Sequence, residues 1–195
     1  NKFDVALIGV DHYKTGSKVR TTNAPDLIRA KLYELYKIDH KIKIVDLGNL
    51  KVGSSSQDIY YGLRDVLIDL HTHKILPVIF GCSEDMIFSS LLLHEYLKKS
   101  VNLTTVNQKI CFTGGTPDEV FPNNYLDFFF ASPHLFIYSN LAHQACFISK
   151  EQLDYLENHN FECLRLGSIR YNTYSAEPYL RDAHIVGVDI NCVKH

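Results

Sequence analysis

The 195-residue chain contains no apolar run long enough to cross a bilayer as a helix. Its first residues, NKFDVALIGV, lack the basic start and long apolar stretch of a signal peptide. Neither sign of charge is in excess: the formal net charge is −2 at pH 7, which gives no reason to expect nucleic acid or an anionic membrane as partner. The five cysteines are odd in number and widely spaced, which argues against a disulfide framework and a CxxC metal site. With no export signal, reduced thiols and a cytoplasmic setting are expected. Repeats, low-complexity tracts and linkers are also missing. What remains is an ordinary globular composition, 46% apolar and 22% charged. That is enough chain for one domain, residues 1–195, with a substantial core.

The richest stretch is LPVIFGCSED, Leu76–Asp85. A proline, a short apolar run and then a small, polar, acidic cluster read as a fully buried strand of a parallel sheet ending in a loop. Ligands in open α/β sheets bind beyond the carboxyl ends of such strands. Chemistry is therefore expected near Gly81, Cys82, Ser83, Glu84 and Asp85.

The rest of the chain alternates. Val5–Val10 reads as a buried strand, Asp11–Asn23 as a loop containing Gly16, and Ala24 to about Lys37 as a helix opened by Pro25 and Asp26. Its apolar stripe includes Leu27, Ala30, Leu32, Leu35 and Tyr36. Ile42–Val45 is the second strand, and Ser54–Ser56 offers N-caps for a helix from Gln57 to Lys74 with Ile59, Leu63, Val66, Leu67 and Leu70 inward. Asp85–Lys99 is helical. Val101–Val106 is a strand expected beside the Pro77–Phe80 strand, and its Asn102-Leu103-Thr104 sequon is discounted as buried. Gly114-Gly115 marks a turn. Tyr125–Phe130 fits strand or helix, and Leu135–Tyr138 is a strand. Lys150–Asn158 is a helix, Glu162–Leu166 a strand, Glu177–Asp182 a helix and His184–Ile190 a last, central strand. Strict alternation predicts a mainly parallel sheet with helices on both faces, a three-layer α/β/α architecture. The first residues read as a strand already under way and the chain stops just past another, so a fragment of a longer protein is expected.

The order of these stretches resembles the ureohydrolase superfamily of arginases, agmatinases and formimidoylglutamases. LIGVDHYKTGSKVRTTNAPDLIRAKLYEL is similar to the family's opening strand, glycine loop and first helix, and KIVDLGNL to its DLGD strand. LPVIFGCSED stands where the family has Gly-Gly-Asp-His-Ser, and LTTVNQKI where it has Asp-Ala-His-x-Asp. FFFASPHLFIYSNLAHQACFIS resembles the formimidoylglutamase branch most. LGSIRYN and RDAHIVGVDINCV fit the later part, with its Ser-x-Asp-x-Asp. The resemblance implies an arginase-like fold without its C-terminal third. It also implies hydrolysis of a guanidino or formimidoyl C–N bond at two manganese ions bridged by hydroxide and held by two His and four Asp.

Carried over by position, those ligands fall on Glu84, Thr105, Asn107, Lys109, Asp189 and Asn191. Only Asp189 keeps its identity, and Glu84 remains a feasible ligand. Two divalent cations would thus face two carboxylates and one ammonium. At a few ångströms, and at intermediate dielectric, such an ammonium is repelled by several kcal/mol, about 4 or more. Thr and Asn oxygens replace carboxylates poorly at manganese. The expectation is a non-catalytic binding or assembly subunit with no cofactor. Its partner is another protein or, as in the commonly trimeric or hexameric family, further copies of itself. The alternative is a metal-dependent hydrolase of a linear amidine C–N bond, using formimidoylglutamate or a guanidino substrate. Its manganese site would be built from Glu84, Asp85, Asp189 and nearby His residues.

Other residues have simpler explanations beside the functional ones. A nucleophilic Cys82 needs a His and an oxyanion hole, and packing at a strand end explains it more simply. His71 and His73, two apart on a helix, point apart and read as a solvated helix end. His134 and His143 flank a strand and could approach one crevice. His12 beside Asp11 fits a ligand or loop polarity, and Arg170 fits an anion or a surface salt bridge. Phe128–Phe130 and Tyr60-Tyr61 read as core or subunit contact rather than a substrate cage.

Overall fold

The computed structural model describes residues 2–15, 18–36, 39, 41–51, 55–81 and 83–192. Gly16, Lys37, Ser54 and Cys82 lie outside that set. The chain divides into two compact units, residues 1–93 and 94–195.

In the first unit, β1 (Val5–Gly9) is followed by β2 (His12–Thr15), β3 (Lys18–Thr21), α1 (Ala24–Leu32), β4 (Ile44–Asn49), α2 (Ser56–Thr72) and β5 (Leu76–Phe80). The sheet order is β4-β1-β5, all parallel, with Val5 opposite both Ile44 and Leu76. Only β1 has a neighbour on each side, and Ala6 to Val10 are buried. This corrects the reading of Pro77–Phe80 as fully buried: β5 is an edge strand whose Leu76 is exposed and whose remaining side chains are at most half-buried. The expected loop at 11–23 instead contains β2 and β3, paired antiparallel with His12 opposite Thr21.

A capping box starts α2: the Asp58 amide donates to Ser55 Oγ at 3.1 Å, and the Ser55 amide to Asp58 Oδ2 at 2.9 Å. Ile59, Leu63, Leu67 and Leu70 are buried at helical spacing, as the periodicity predicts.

α1 departs from its pattern. It ends at Leu32, and Leu27, Leu35 and Tyr36 are exposed, Tyr36 at 98%. The residue this helix buries, with Pro25, is Arg29, 8% exposed. Its guanidinium donates to Asp46 Oδ2 at 2.8 Å, Asp26 Oδ1 at 3.0 Å and the Gly48 carbonyl at 2.7 Å, and also to Asn49 Oδ1. The helix is therefore fastened to the end of β4 by charge-assisted hydrogen bonds rather than by its leucines. Glu84–Ile87 forms a 3-10 turn in which Asp85 is buried and accepts from the Tyr60 hydroxyl. The turn leads into α3 (Phe88–Leu97), so the predicted helix starts later and in a different form.

The second unit contains β6 (Val101–Val106), α4 (Tyr125–Ala131), β7 (Leu135–His143), α5 (Lys150–Asn158), β8 (Glu162–Arg165), α6 (Leu166–Tyr171), α7 (Glu177–Arg181) and β9 (Ile185–Val188). Its parallel sheet has the order β8-β7-β6-β9. β6 thus pairs with β7 and β9, not with β5 as expected, and β9 is an edge strand rather than a central one. The sequon lies within β6, with Leu103 fully buried. Tyr125–Ala131 resolves as a helix: Tyr125, Leu126 and Phe129 are buried on one face. Phe130 packs on Phe112, Tyr138, Tyr155 and Phe161 with ring centroids 4.9–5.4 Å apart. Phe129 is therefore core and Phe130 part of an aromatic cluster, while Phe128 is half-buried. Buried Asp127 holds the expected Gly114 turn (φ +78°), accepting from the Thr113 and Gly114 amides and the Thr113 hydroxyl.

β7 runs five residues beyond the predicted Tyr138. Near its end the pairing with β8 shifts between Leu141 and His143, and Ala142 takes φ +70°. That bulge re-aims the side chain that follows. A β-branched residue is far worse than alanine in this conformation. Ala142→Val is therefore expected to lower stability by about 2 kcal/mol, read from the urea midpoint; an unchanged midpoint would contradict the bulge.

Candidate functional site

The carboxyl end of β6 carries Thr105, Asn107 and Lys109, and β9 runs parallel beside it with Val106 opposite Val188. The Asp189 amide continues that ladder, donating to the Val106 carbonyl at 2.9 Å. Topology therefore brings Thr105, Asn107, Lys109, Asp189 and Asn191 to one end of one sheet. Glu84 stands in the other unit, half-buried, at the first residue of the 3-10 turn after β5. Cys82 lies outside the described residues.

Most of the polar atoms at this sheet end are engaged with one another, while Asn140 Oδ1 is buried without a hydrogen-bond partner among the described residues. Thr105 is buried, and its Oγ1 lies 2.8 Å from the Tyr138 hydroxyl and accepts from Asn140 Nδ2 at 3.1 Å. Asn140 Nδ2 also reaches the Lys109 carbonyl at 3.5 Å. Asn107 is buried; its Oδ1 accepts from the Lys109 amide at 3.0 Å, and its Nδ2 lies 3.7 Å from Cys111 Sγ. Asp189 is half-buried, and its Oδ1 accepts from the Asn191 amide and side chain at 2.9 and 2.8 Å. Lys109 and Asn191 are exposed. Burial pushes the Tyr138 phenol far above its ordinary value and the Cys163 thiol up to about 11, so both stay protonated at neutral pH. Among the described residues, no group of three or more His, Cys, Asp or Glu is arranged to hold a metal ion.

The other candidates separate. His134 precedes β7 and His143 ends it, so the two stand at opposite ends of a nine-residue strand, roughly 30 Å apart at strand rise, and share no crevice. His71 and His73 form the exposed end of α2, with His73 Nδ1 2.9 Å from the Asp69 carbonyl. His12 pairs with Asp11. Tyr60 is buried and Tyr61 exposed. Arg170 has no ion-pair partner among the described residues, so the surface salt bridge foreseen for it is not formed. Sequence reasoning missed Tyr138 and Asn140. Both lie in an apolar-looking strand, and only pairing with β6 places them against Thr105.

None of the four described cysteines, Cys111, Cys146, Cys163 and Cys192, forms a disulfide. No described helix is long and apolar enough to cross a membrane.

No protein-family model matches the chain, and no curated protein matches it in sequence. Solved structures do match. A formiminoglutamase of Trypanosoma cruzi, determined with Mn2+, superposes with a TM-score of 0.78 at 14% identity, over 92% of this chain and 66% of the other. The formimidoylglutamase of Bacillus subtilis gives 0.75 at 13%, over 95% and 64%. The agmatine ureohydrolase of Thermoplasma volcanium gives 0.70 at 16%, over 96% and 66%. The chain spans about two thirds of the length of these proteins. Parallel sheets with flanking helices give this chain an arginase-like α/β fold, the fold of these neighbours.

Proposed function

We propose that this chain is a ureohydrolase-fold protein without the binuclear manganese site, acting as a non-catalytic binding or assembly subunit whose partner is a protein or a second copy. The observation that carries this reading is the state of Thr105 and Asn107. Both stand at positions where the family places ligands, both are buried, and both spend their oxygens on internal hydrogen bonds. A hard divalent cation needs oxygen donors with negative charge, and Asp189 is the one carboxylate among the five positions at this sheet end. Releasing Thr105 or Asn107 to a metal would leave buried donors unsatisfied, at about 1–3 kcal/mol each. The residues present do not fit the metal pair, so no catalytic step is derived through it.

The test is metal content by mass spectrometry after dialysis against manganese, on the wild type and on Asp189→Ala. Neither protein is expected to retain metal. Two equivalents held by the wild type and lost in the variant would overturn the reading and favour an amidine hydrolase. Arginine, agmatine and formimidoylglutamate would then be the substrates to assay.

A further inference from the structure

We propose that the chain forms a two-fold dimer, in which the outer face of α1, with the residues that follow it and the start of β4, packs against the same face of a second copy. This rests on the reading of the chain as a binding or assembly subunit, and names its partner and the surface that holds it.

The sequence gives α1 an apolar stripe at helical spacing, and such a stripe ordinarily faces a core. Here the inward side of the helix belongs to Arg29, held by Asp46, Gly48 and Asn49. With the guanidinium inward, the stripe turns outward. Leu27, Leu35 and Tyr36 are exposed, and so are Tyr33, Ile42 and Ile44. One hydrogen bond ties the helix end to the strand: the Tyr33 hydroxyl donates to Asp46. Ile44, two positions before Asp46 on β4, points to the same side of the sheet. Among the described residues β4 is an edge strand, with β1 as its one neighbour. The stripe of α2, by contrast, is buried at Ile59, Leu63, Leu67 and Leu70.

Area fits a second copy. Taking about 200 Å² for a large side chain, these six exposed residues present on the order of 700 Å² of surface. That exceeds the largest apolar patch of a typical monomer, about 300–600 Å². It matches the roughly 600–1,000 Å² that each partner brings to a stable pair. Charge points the same way. The exposed ion pair on this face, Lys31 Nζ to Glu34 Oε1 at 2.9 Å, holds both signs one turn apart. A two-fold axis across α1 sets the Lys31 of each copy opposite the Glu34 of the other, so the face is complementary to itself.

Sedimentation and light scattering of the full chain, from about 1 to 200 μM, give its mass directly. A dimer is expected, with a Kd on the order of 10 μM. Leu35→Glu and Tyr36→Glu should each weaken it about tenfold or more. These side chains are 70% and 98% exposed, so the fold should survive, which far-ultraviolet circular dichroism checks. Tyr171→Glu, at an aromatic 95% exposed in the second unit, should leave the Kd unchanged. Lys31→Glu should weaken the dimer by setting carboxylates against each other, and adding Glu34→Lys should restore it. A monomer throughout the range, a trimer, or a dimer whose Kd ignores Leu35→Glu and Tyr36→Glu would overturn the proposal. So would an equal loss in Tyr171→Glu. Manganese content of the same samples is a separate readout. Metal held by a dimer overturns the proposed function and leaves this interface standing, whereas a metal-free monomer does the reverse.

Discussion

Gly9→Ala is expected to destabilise the protein by about 2–4 kcal/mol, lowering the urea midpoint by roughly 1 M or more. Gly9 ends the central strand β1, where the Arg29 cluster closes over it. A Cβ at this position would stand 2.8 Å from Arg29 Nη1 and 2.9 Å from Pro25 Cβ, and would overlap Asn49 Oδ1. Real Cβ atoms do not approach so closely, so something must move. Pro25 is part of the helix backbone, and Asn49 is held by Arg29. The movement therefore costs either the helix position or the ion cluster. A second glycine supplies the control. Gly62 lies inside α2, and a Cβ built there meets nothing within 4 Å. Gly62→Ala should therefore stabilise by about 0.5–1 kcal/mol, because alanine restricts the unfolded chain and favours the helix. Opposite signs at the two sites would support the described packing, whereas a neutral Gly9→Ala would mean that α1 does not lie against β1 as described.

The second large effect belongs to Arg29→Met. Removing the guanidinium leaves Asp46 partly buried beside Tyr33 with no cation, at an expected loss of about 3 kcal/mol at neutral pH. The pH dependence distinguishes this from simple loss of packing. Burial alone would raise the Asp46 carboxyl; the hydrogen bonds from Arg29 and Tyr33 and the Arg29 charge more than offset it and hold the carboxyl below its usual range. A carboxyl lowered in the folded state adds stability that is present above its unfolded value, about pH 4. That stability is lost as pH falls through the folded value. In Arg29→Met the opposing cation is gone, and the same carboxyl should move up from its wild-type value, with the Tyr33 hydroxyl and Gly48 amide still bonded to it. The stability gap between wild type and variant should thus be widest at neutral pH and narrow as the solution is acidified below about pH 4. Chemical denaturation across that range measures it. A gap that does not change with pH would assign the loss to the methylene stem of Arg29 rather than to its charge.

Much of the fold is legible in the sequence because its signals are local. Pro25 and Asp26 open a helix, Ser55 forms a capping box, and Ile59, Leu63, Leu67 and Leu70 repeat at helical spacing. Alternation of strand and helix then leaves a parallel sheet as the natural outcome. Local signals failed where a side chain's role is set by a distant neighbour. Leu27, Leu35 and Tyr36 read as an inward face, yet α1 is fastened by Arg29 to Asp46, seventeen positions away. A charged residue mid-helix normally reads as a solvated face, and only the position of β4 makes it the buried one. Pro77–Phe80 looks fully buried by composition, but burial of a strand depends on how many strands flank it, and β5 is flanked on one side.

At the candidate site, the sequence by itself determined which residues, Thr105, Asn107, Lys109, Asp189 and Asn191, follow the two strands, and that one of them is a carboxylate. Residue identity and strand order are properties of the chain itself. The tertiary structure alone decided that Thr105 is held by Tyr138 and Asn140. It alone decided that Arg165, Arg170 and His143 line one cavity. The first depends on the register between β6 and β7, where a shift of one residue turns a side chain to the other face.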